Sequence, residues 1–293
     1  SDLLEGEMKI RLIQLLVLSF VFHSKYRLGF TALLVVGVLA RPTFAEEGFT
    51  SLFDGKTLNG WVTTRSTDAF SVNKKEKAIH AYAGKKNGSE QVPGCLVTKE
   101  KYSSYILRLE YKWLKNRFSP RTDWDRDAGV LFHAHGSLKK LWPYSVEMQL
   151  GETPGSVTAK SKDYWKNRKP SRFHSGDVIL IQENLVQAQY KHKGAYWDPN
   201  GMLYKGGKAI FTRLGIEKPR GDWNEAEIRV LENKKATFVL NGEVVNEIMN
   251  IQKMEGEKLV PLTKGYIGLQ AEWAELLYRN IRIKNLDTVN GKK

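Results

Sequence analysis

The sequence predicts an all-β protein, an antiparallel sandwich in one domain. Three observations carry that expectation. After residue 46 the chain divides into many short stretches in which apolar and polar residues alternate. Asp-Gly and Asn-Gly pairs separate them, and only "EWAELLYRN" (272–280) has a spacing that passes for a helix. Alternation sends successive side chains to opposite faces of a strand, the pattern of a sheet with one face in a core.

The elements follow in order. "GFTSLFDGKTLNGWV" (48–62) sets turn pairs around a short apolar piece, and "AFSVN", "AIHAYA" and "GCLVTKEKY" read as short strands. In "YILRLEYKWL" (105–114), Leu107, Leu109, Tyr111 and Trp113 share one face, opposite Arg108, Glu110 and Lys112. "AGVLFHAH" (128–135), "YSVEMQLGE" (144–152) and "DVILIQE" (177–183) come next. The stretch 224–248 is a hairpin series: Ile228 and Val230, a turn at 232–235, Phe238 and Leu240, an Asn241-Gly242 turn, then Val244. "GYIGLQAE" and "LLYRNIRIKNL" close the domain, assigned to residues 46–287, and residues 288–293 form a polar tail. Residues 161–218, rich in Gly, Lys and aromatics, read as a long excursion over one face, a place where function often resides.

Residues 1–45 stand apart. Lys25 and Arg27 precede an apolar run, Leu28 to Ala40, and Thr43-Phe44-Ala45 precedes Glu46. This is the pattern of a secretory signal cut after Ala45, which predicts a periplasmic or secreted protein. The run falls short of the roughly 20 apolar residues that span a bilayer, so no stable membrane insertion is expected after cleavage. A second apolar run, Leu12 to Phe22, reads as an over-extended start, with a membrane hairpin as the rival. The net charge is +14, and +12 without the first 45 residues. A basic exported protein can meet nucleic acid, anionic lipid or acidic polysaccharide. "KDYWKNRK" (162–169) mixes cations and aromatics as single-strand binders do, but no nucleic-acid signature accompanies it, so no nucleic-acid partner is expected. Cys95 is the one cysteine, which excludes an intrachain disulfide and reads as a small buried hydrophobe.

Five motifs occur in an order that resembles the 3-keto-disaccharide hydrolase domain family: "GFTSLFDGKTLNGW", "DAGVLFH", "YSVEMQLGE", "GDWNEAEIRV" with "LNGEVVNE", and "GYIGLQAEWAELLYRNIRIKNL". The resemblance runs from about Gly48 to Leu286. It implies a concanavalin A/laminin G-like jelly roll and a sugar substrate already oxidised to a ketone at C3, whose glycosidic bond a lyase or hydrolase activity then cleaves. Family members often carry Arg where this chain has His133, and Ser-Glu-Gly where it has Ala271-Glu272-Trp273.

Ordinary glycosidases use two carboxyl groups and an oxocarbenium-like transition state. A C3 ketone opens another route, because it acidifies the C2 hydrogen. A base removes that proton, and the enolate expels the C1 substituent. Such a site needs a base, donors for the enolate oxygen and an acid for the leaving group. Strand parity puts Glu147 and Gln149 on one face with Ser145. It also groups Asp127, Gly129, Leu131, His133 and His135, and sets Gln270 and Glu272 together. If these faces converge, Glu147 or His133 is the base and Glu272 an acid or ligand, while Asp127, Gln149 and Gln270 position hydroxyls. Polar residues on an outer sheet face normally just meet water, and Asp127 also suits a turn.

"RFHSGDVILI" adds Asp177 and His174 as substrate contacts. Trp142, Trp165, Trp197 and Trp273 are candidates for stacking on a sugar, whereas Trp61 and Trp223 are expected in the core. The sequence establishes no cofactor and leaves a divalent metal cation open. His133 and His135 have the i,i+2 spacing of a metal pair, and a divalent cation would stabilise an enolate, but no nearby pattern completes a site. The leading reading is a carbohydrate-active enzyme with a 3-keto glycoside as partner; its alternative is a non-catalytic, lectin-like module on the same fold.

Overall fold

The computed structural model describes residues 47–65, 68–152, 175–181, 186–190, 202–205, 209–210 and 216–287. Its strands, in chain order, begin with β1 (Thr50–Ser51), β2 (Trp61–Thr64), β3 (Phe70–Asn73), β4 (Ala78–Ala81), β5 (Gly94–Thr98) and β6 (Tyr105–Arg117). There follow β7 (Asp127–His135), β8 (Tyr144–Gly151), β9 (Val178–Ile181), β10 (Val186–Tyr190), β11 (Met202–Lys205) and β12 (Ala209–Ile210). The last are β13 (Asn224–Leu231), β14 (Lys235–Leu240), β15 (Glu243–Glu255), β16 (Lys258–Pro261), β17 (Tyr266–Ala271) and β18 (Ala274–Asn285).

Two antiparallel sheets form a sandwich. The larger, of eleven strands, runs β11-β10-β15-β14-β13-β6-β18-β4-β3, with β1 beside β18 and β16 beside β15. The smaller, of seven strands, runs β12-β9-β8-β7-β17-β5-β2. Alternation sets what lies between them. Leu107, Leu109, Tyr111 and Trp113 of β6 point inward together, as do Val130 and Phe132 of β7 and Val146, Met148 and Leu150 of β8. Each such side chain withdrawn from water stabilises the fold by about 1.5–3 kcal/mol. The polar tips of core aromatics reach the opposite sheet: Trp113 Nε1 donates to the Gly151 carbonyl at 3.0 Å, and Tyr278 Oη to the Gln270 carbonyl at 2.7 Å.

Several sequence expectations are corrected. Among the described residues there is no helix, so the short helices expected beside the strands do not occur there; "EWAELLYRN" runs from the turn before β18 into that strand, where it pairs with β6 and β4. Val244 is exposed and Val245 is buried, because the β14–β15 pairing slips between Phe238 and Val239. Trp61 is a core residue, as expected, but Trp223 is only half-buried; its ring is flanked by Lys112 at 4.5 Å and Arg279 at 3.8 Å. Cys95 is fully buried, and burial pushes its thiol up, which leaves it an inert apolar group. Among the described residues no helix is long and apolar enough to cross a membrane.

Two crossovers create the place where function can sit. The chain passes from β6 in the large sheet to β7 in the small one through residues 118–126, and from β17 back to β18 through Glu272 and Trp273. β17 lies beside β7 and β18 beside β6, so both crossovers occur at one end of the sandwich. The Phe118 amide donates to the Trp273 carbonyl at 2.9 Å and ties them together.

Candidate active site

The site lies on the face of the small sheet turned away from the core, at the end marked by the crossovers. Cross-strand register decides which residues meet. Leu131 of β7 faces Glu147 of β8, and Gly129 faces Gln149. On the other side of β7, Leu131 faces Gly268 of β17. Gln270, two residues further along, falls beside Gly129, and it also faces Cys95 of β5. Strand alternation therefore places Asp127, Gly129, Glu147, Gln149 and Gln270 on one patch.

Gly129 has a specific part. A Cβ atom there would lie 2.1 Å from Glu147 Oε1, so the absent side chain is the space in which the carboxylate rests. Glu147 reaches across β7 through that space to the next strand, where its Oε2 accepts from Gln270 Nε2 at 3.4 Å. The Gln270 Oε1 atom is buried and has no partner among the described residues, which leaves a ready acceptor at the centre of the site.

The crossovers supply the rest. Arg121 Nη1 lies 3.0 and 3.1 Å from the two oxygens of Asp127 and 2.8 Å from Glu272 Oε1. Its guanidinium is packed between the Trp124 ring, at 4.8 Å, and the Trp273 ring, at 4.6 Å. Trp273, held at φ +57°, is pinned by Nε1 donating to the Gln91 carbonyl at 2.8 Å, and its amide donates to Tyr82 Oη at 3.2 Å. Trp124 stays 47% exposed on the open side of that guanidinium.

Three carboxyl groups and one cation thus share a buried place. Burial, then Glu272, then Asp127 raise Glu147 well above the ordinary carboxylate range. Burial, then Glu272, push Asp127 upward against the pull of Arg121. Burial also raises Glu272, again opposed by Arg121. A site built this way holds at least one proton near neutrality, which is what acid–base chemistry requires.

The other expected residues are placed as follows. His133 leaves the patch. A bulge between Phe132 and His135 puts it at φ +50°, and its Nε2 donates to the Glu232 carbonyl in the β13–β14 turn at 2.8 Å. Burial lowers its pKa to about 4, so the strand parity that grouped it with Asp127 does not survive the bulge. His135 Nδ1 donates to the His133 carbonyl at 3.0 Å, so the two imidazoles do not form the metal pair their spacing suggested. Among the described residues no three His, Cys, Asp or Glu side chains are grouped to hold a metal ion.

Gln149 is buried, and its amide nitrogen is committed to the Ala128 carbonyl at 2.7 Å. Asp177 is buried beside it, and its main-chain carbonyl accepts from the Gln149 main-chain N–H at 2.9 Å. Trp142 is half-buried at the apolar end of the same face, packed with Leu138 and Tyr266 on Cys95, Val97, Leu131 and Ile181. That end is closed by the β7–β8 connection, whose Leu141 carbonyl accepts from Thr64 Oγ1 at 3.0 Å. Trp273 backs Arg121 instead of standing open. His174, Trp165 and Trp197 lie outside the described residues. Sequence reasoning missed Arg121, Trp124 and the role of Gly129; the cation and ring in "PRTDWDRDAG", just before Asp127, were the available signal.

Residues 48–284 match the 3-keto-alpha-glucoside-1,2-lyase-like domain. The chain belongs to that family. Membership makes this a carbohydrate-active domain with a carbohydrate as partner. Two solved structures from Parabacteroides distasonis, both provisionally named glycosyl hydrolases, are similar. One is 18% identical and aligns over 82% of this chain and 95% of its own, with a TM-score of 0.50. The other is 22% identical over 81% and 99%, with a TM-score of 0.47. The first shares the fold. No curated protein sequence matches the chain.

Proposed function

We propose that this family member is an exported enzyme that cleaves the glycosidic bond of 3-keto glycosides by removing the C2 proton and eliminating the C1 substituent, with water free to add afterwards. One observation supports it above the others: three carboxyl groups from three separate segments share one patch, two of them on a single guanidinium and the third on the Gln270 amide, whose oxygen has no partner among the described residues. A lectin needs aromatic plates and amides to grip a sugar. It gains nothing from three buried acids, whose desolvation costs stability. Proton removal and return is the use that explains them. The Gln270 oxygen and the Trp124 ring suit a sugar hydroxyl and a sugar face.

The test is release of a chromophore from a 3-keto-β-glucoside beside its unoxidised parent. Release from the ketone alone is the expected result. Equal release from both would replace elimination with ordinary hydrolysis, and release from neither would favour the binding module. Residues 25–45 support export to the periplasm or beyond.

A further inference from the structure

We infer that Arg121 sorts the acids of the site: Asp127 and Glu272, which touch its guanidinium, stay ionised, and Glu147, which does not, holds the proton. The assignment of roles rests on the reaction proposed above. It makes Glu147 the acid and Glu272 the base, the reverse of what strand parity suggested.

The geometry carries this. A guanidinium is permanently charged, and here it lies on Asp127 and Glu272 with the Trp124 and Trp273 rings against it. Both Asp127 oxygens are spent on it, whereas Glu272 gives it one and keeps the other free among the described residues. Among the described residues the Glu147 carboxylate has only the long amide contact of Gln270. The other groups facing Glu147 are the Cys95 thiol and the Tyr278 phenol, both pushed up by burial and so neutral. Arg121 is the one cation acting on these acids among the described residues, so ionising all three would leave two negative charges uncompensated. The proton settles on the acid farthest from the cation, where burial and two acidic neighbours act in the same direction. Burial and Glu272 also push Asp127 up, to about 8, and it is the two contacts to Arg121 that oppose this and hold its charge.

The step then balances. Glu272 takes the C2 proton, and the freed pair forms the C2–C3 double bond of the enolate. As the C3 carbonyl reforms, that pair moves to C1–C2, and the C1–O bond breaks with its electrons on the departing oxygen. Glu147 gives that oxygen its proton. The products are an enone sugar and an alcohol, and proton exchange with solvent resets the two acids. Arg121 is a positioning residue: it touches the carboxylates and acts through them.

Infrared spectroscopy on the full, ligand-free chain at neutral pH locates the proton whatever the substrate proves to be. The protonated-carboxyl band should vanish in Glu147→Gln, persist in Glu272→Gln and Asp127→Asn, and grow in Arg121→Gln but less in Arg121→Lys. Loss of the band in Glu272→Gln or Asp127→Asn, with survival in Glu147→Gln, would overturn the inference. Kinetics test the roles separately. On a methyl 3-keto-glucoside, whose leaving group needs an acid, Glu147→Gln should fall by roughly 10²-fold or more, and on a nitrophenyl one by less than about tenfold. Glu272→Gln should fall equally on both and lose exchange of the C2 hydrogen with heavy water. A Glu147→Gln variant that loses that exchange reverses the roles. A wild type inactive on both ketones defeats the reaction proposed above, while the infrared band still decides where the proton sits.

Discussion

At the scale of single residues, the site depends on an absence. Gly129 lies on β7 with an ordinary strand conformation, and its value is the space above it, which the Glu147 carboxylate fills. Gly129→Ala should therefore move the carboxylate by an ångström or more. The expected result is a fall in kcat/KM of about 10²-fold, since a shift of that size in a reacting group costs that much. Overpacking should cost about 1–3 kcal/mol of stability, measured by urea unfolding. A variant that lost stability but kept full turnover would show that Glu147 is not a reacting group. Arg121 works the other way, through presence: a charge fixed between two rings decides the ionisation of its neighbours. The acids Asp127, Glu147 and Glu272 were legible in the sequence as strand-face candidates, because parity is a local property. Arg121 was not, because a residue in an irregular crossover carries no period from which its direction can be read.

At the scale of elements, the bulge in β7 separates two sets of residues that simple alternation had joined. Before it, Asp127 and Gly129 face the site; within it, His133 turns to the Glu232 carbonyl in the β13–β14 turn. His133 is thus a buried neutral imidazole, and its pKa of about 4 sets a pH dependence of stability. Below the unfolded value near 6.5 the unfolded chain binds a proton that the folded one refuses. The contribution is full above about pH 6.5 and is lost as pH falls toward 4, by about 3 kcal/mol. His133→Gln should flatten that fall in urea midpoints taken from pH 7 to 4, with turnover per folded molecule at pH 7 kept within a few-fold. An unchanged slope would mean the imidazole is already charged in the fold. The raised carboxylates act oppositely: what they contribute is present below about pH 4.5 and is lost as pH rises. The sequence could not announce the bulge, because a residue at positive φ looks the same on paper as its extended neighbours.

At the scale of the whole molecule, the fold brings distant segments together by threading β17 and β18 into the middle of opposite sheets. The corner between them, Glu272-Trp273, thereby meets the β6–β7 corner that carries Arg121. The proposed export is a property of the full chain as well. If residues 1–45 are a cleaved signal, N-terminal sequencing of the protein recovered from a periplasmic fraction should begin at Glu46, and a cytoplasmic product retaining Lys25 and Arg27 would count against it. The sequence by itself determined the all-β class, the inward faces of β6, β8, β13 and β14, the inert burial of Cys95 and the family, because period, turn residues and motif order are written along the chain. Only the tertiary structure decided which polar residues form one site, that Arg121 governs it and that His133 is excluded from it. Those facts depend on register between strands far apart in sequence, on a bulge and on two crossovers, and on how much water each charge loses when they meet.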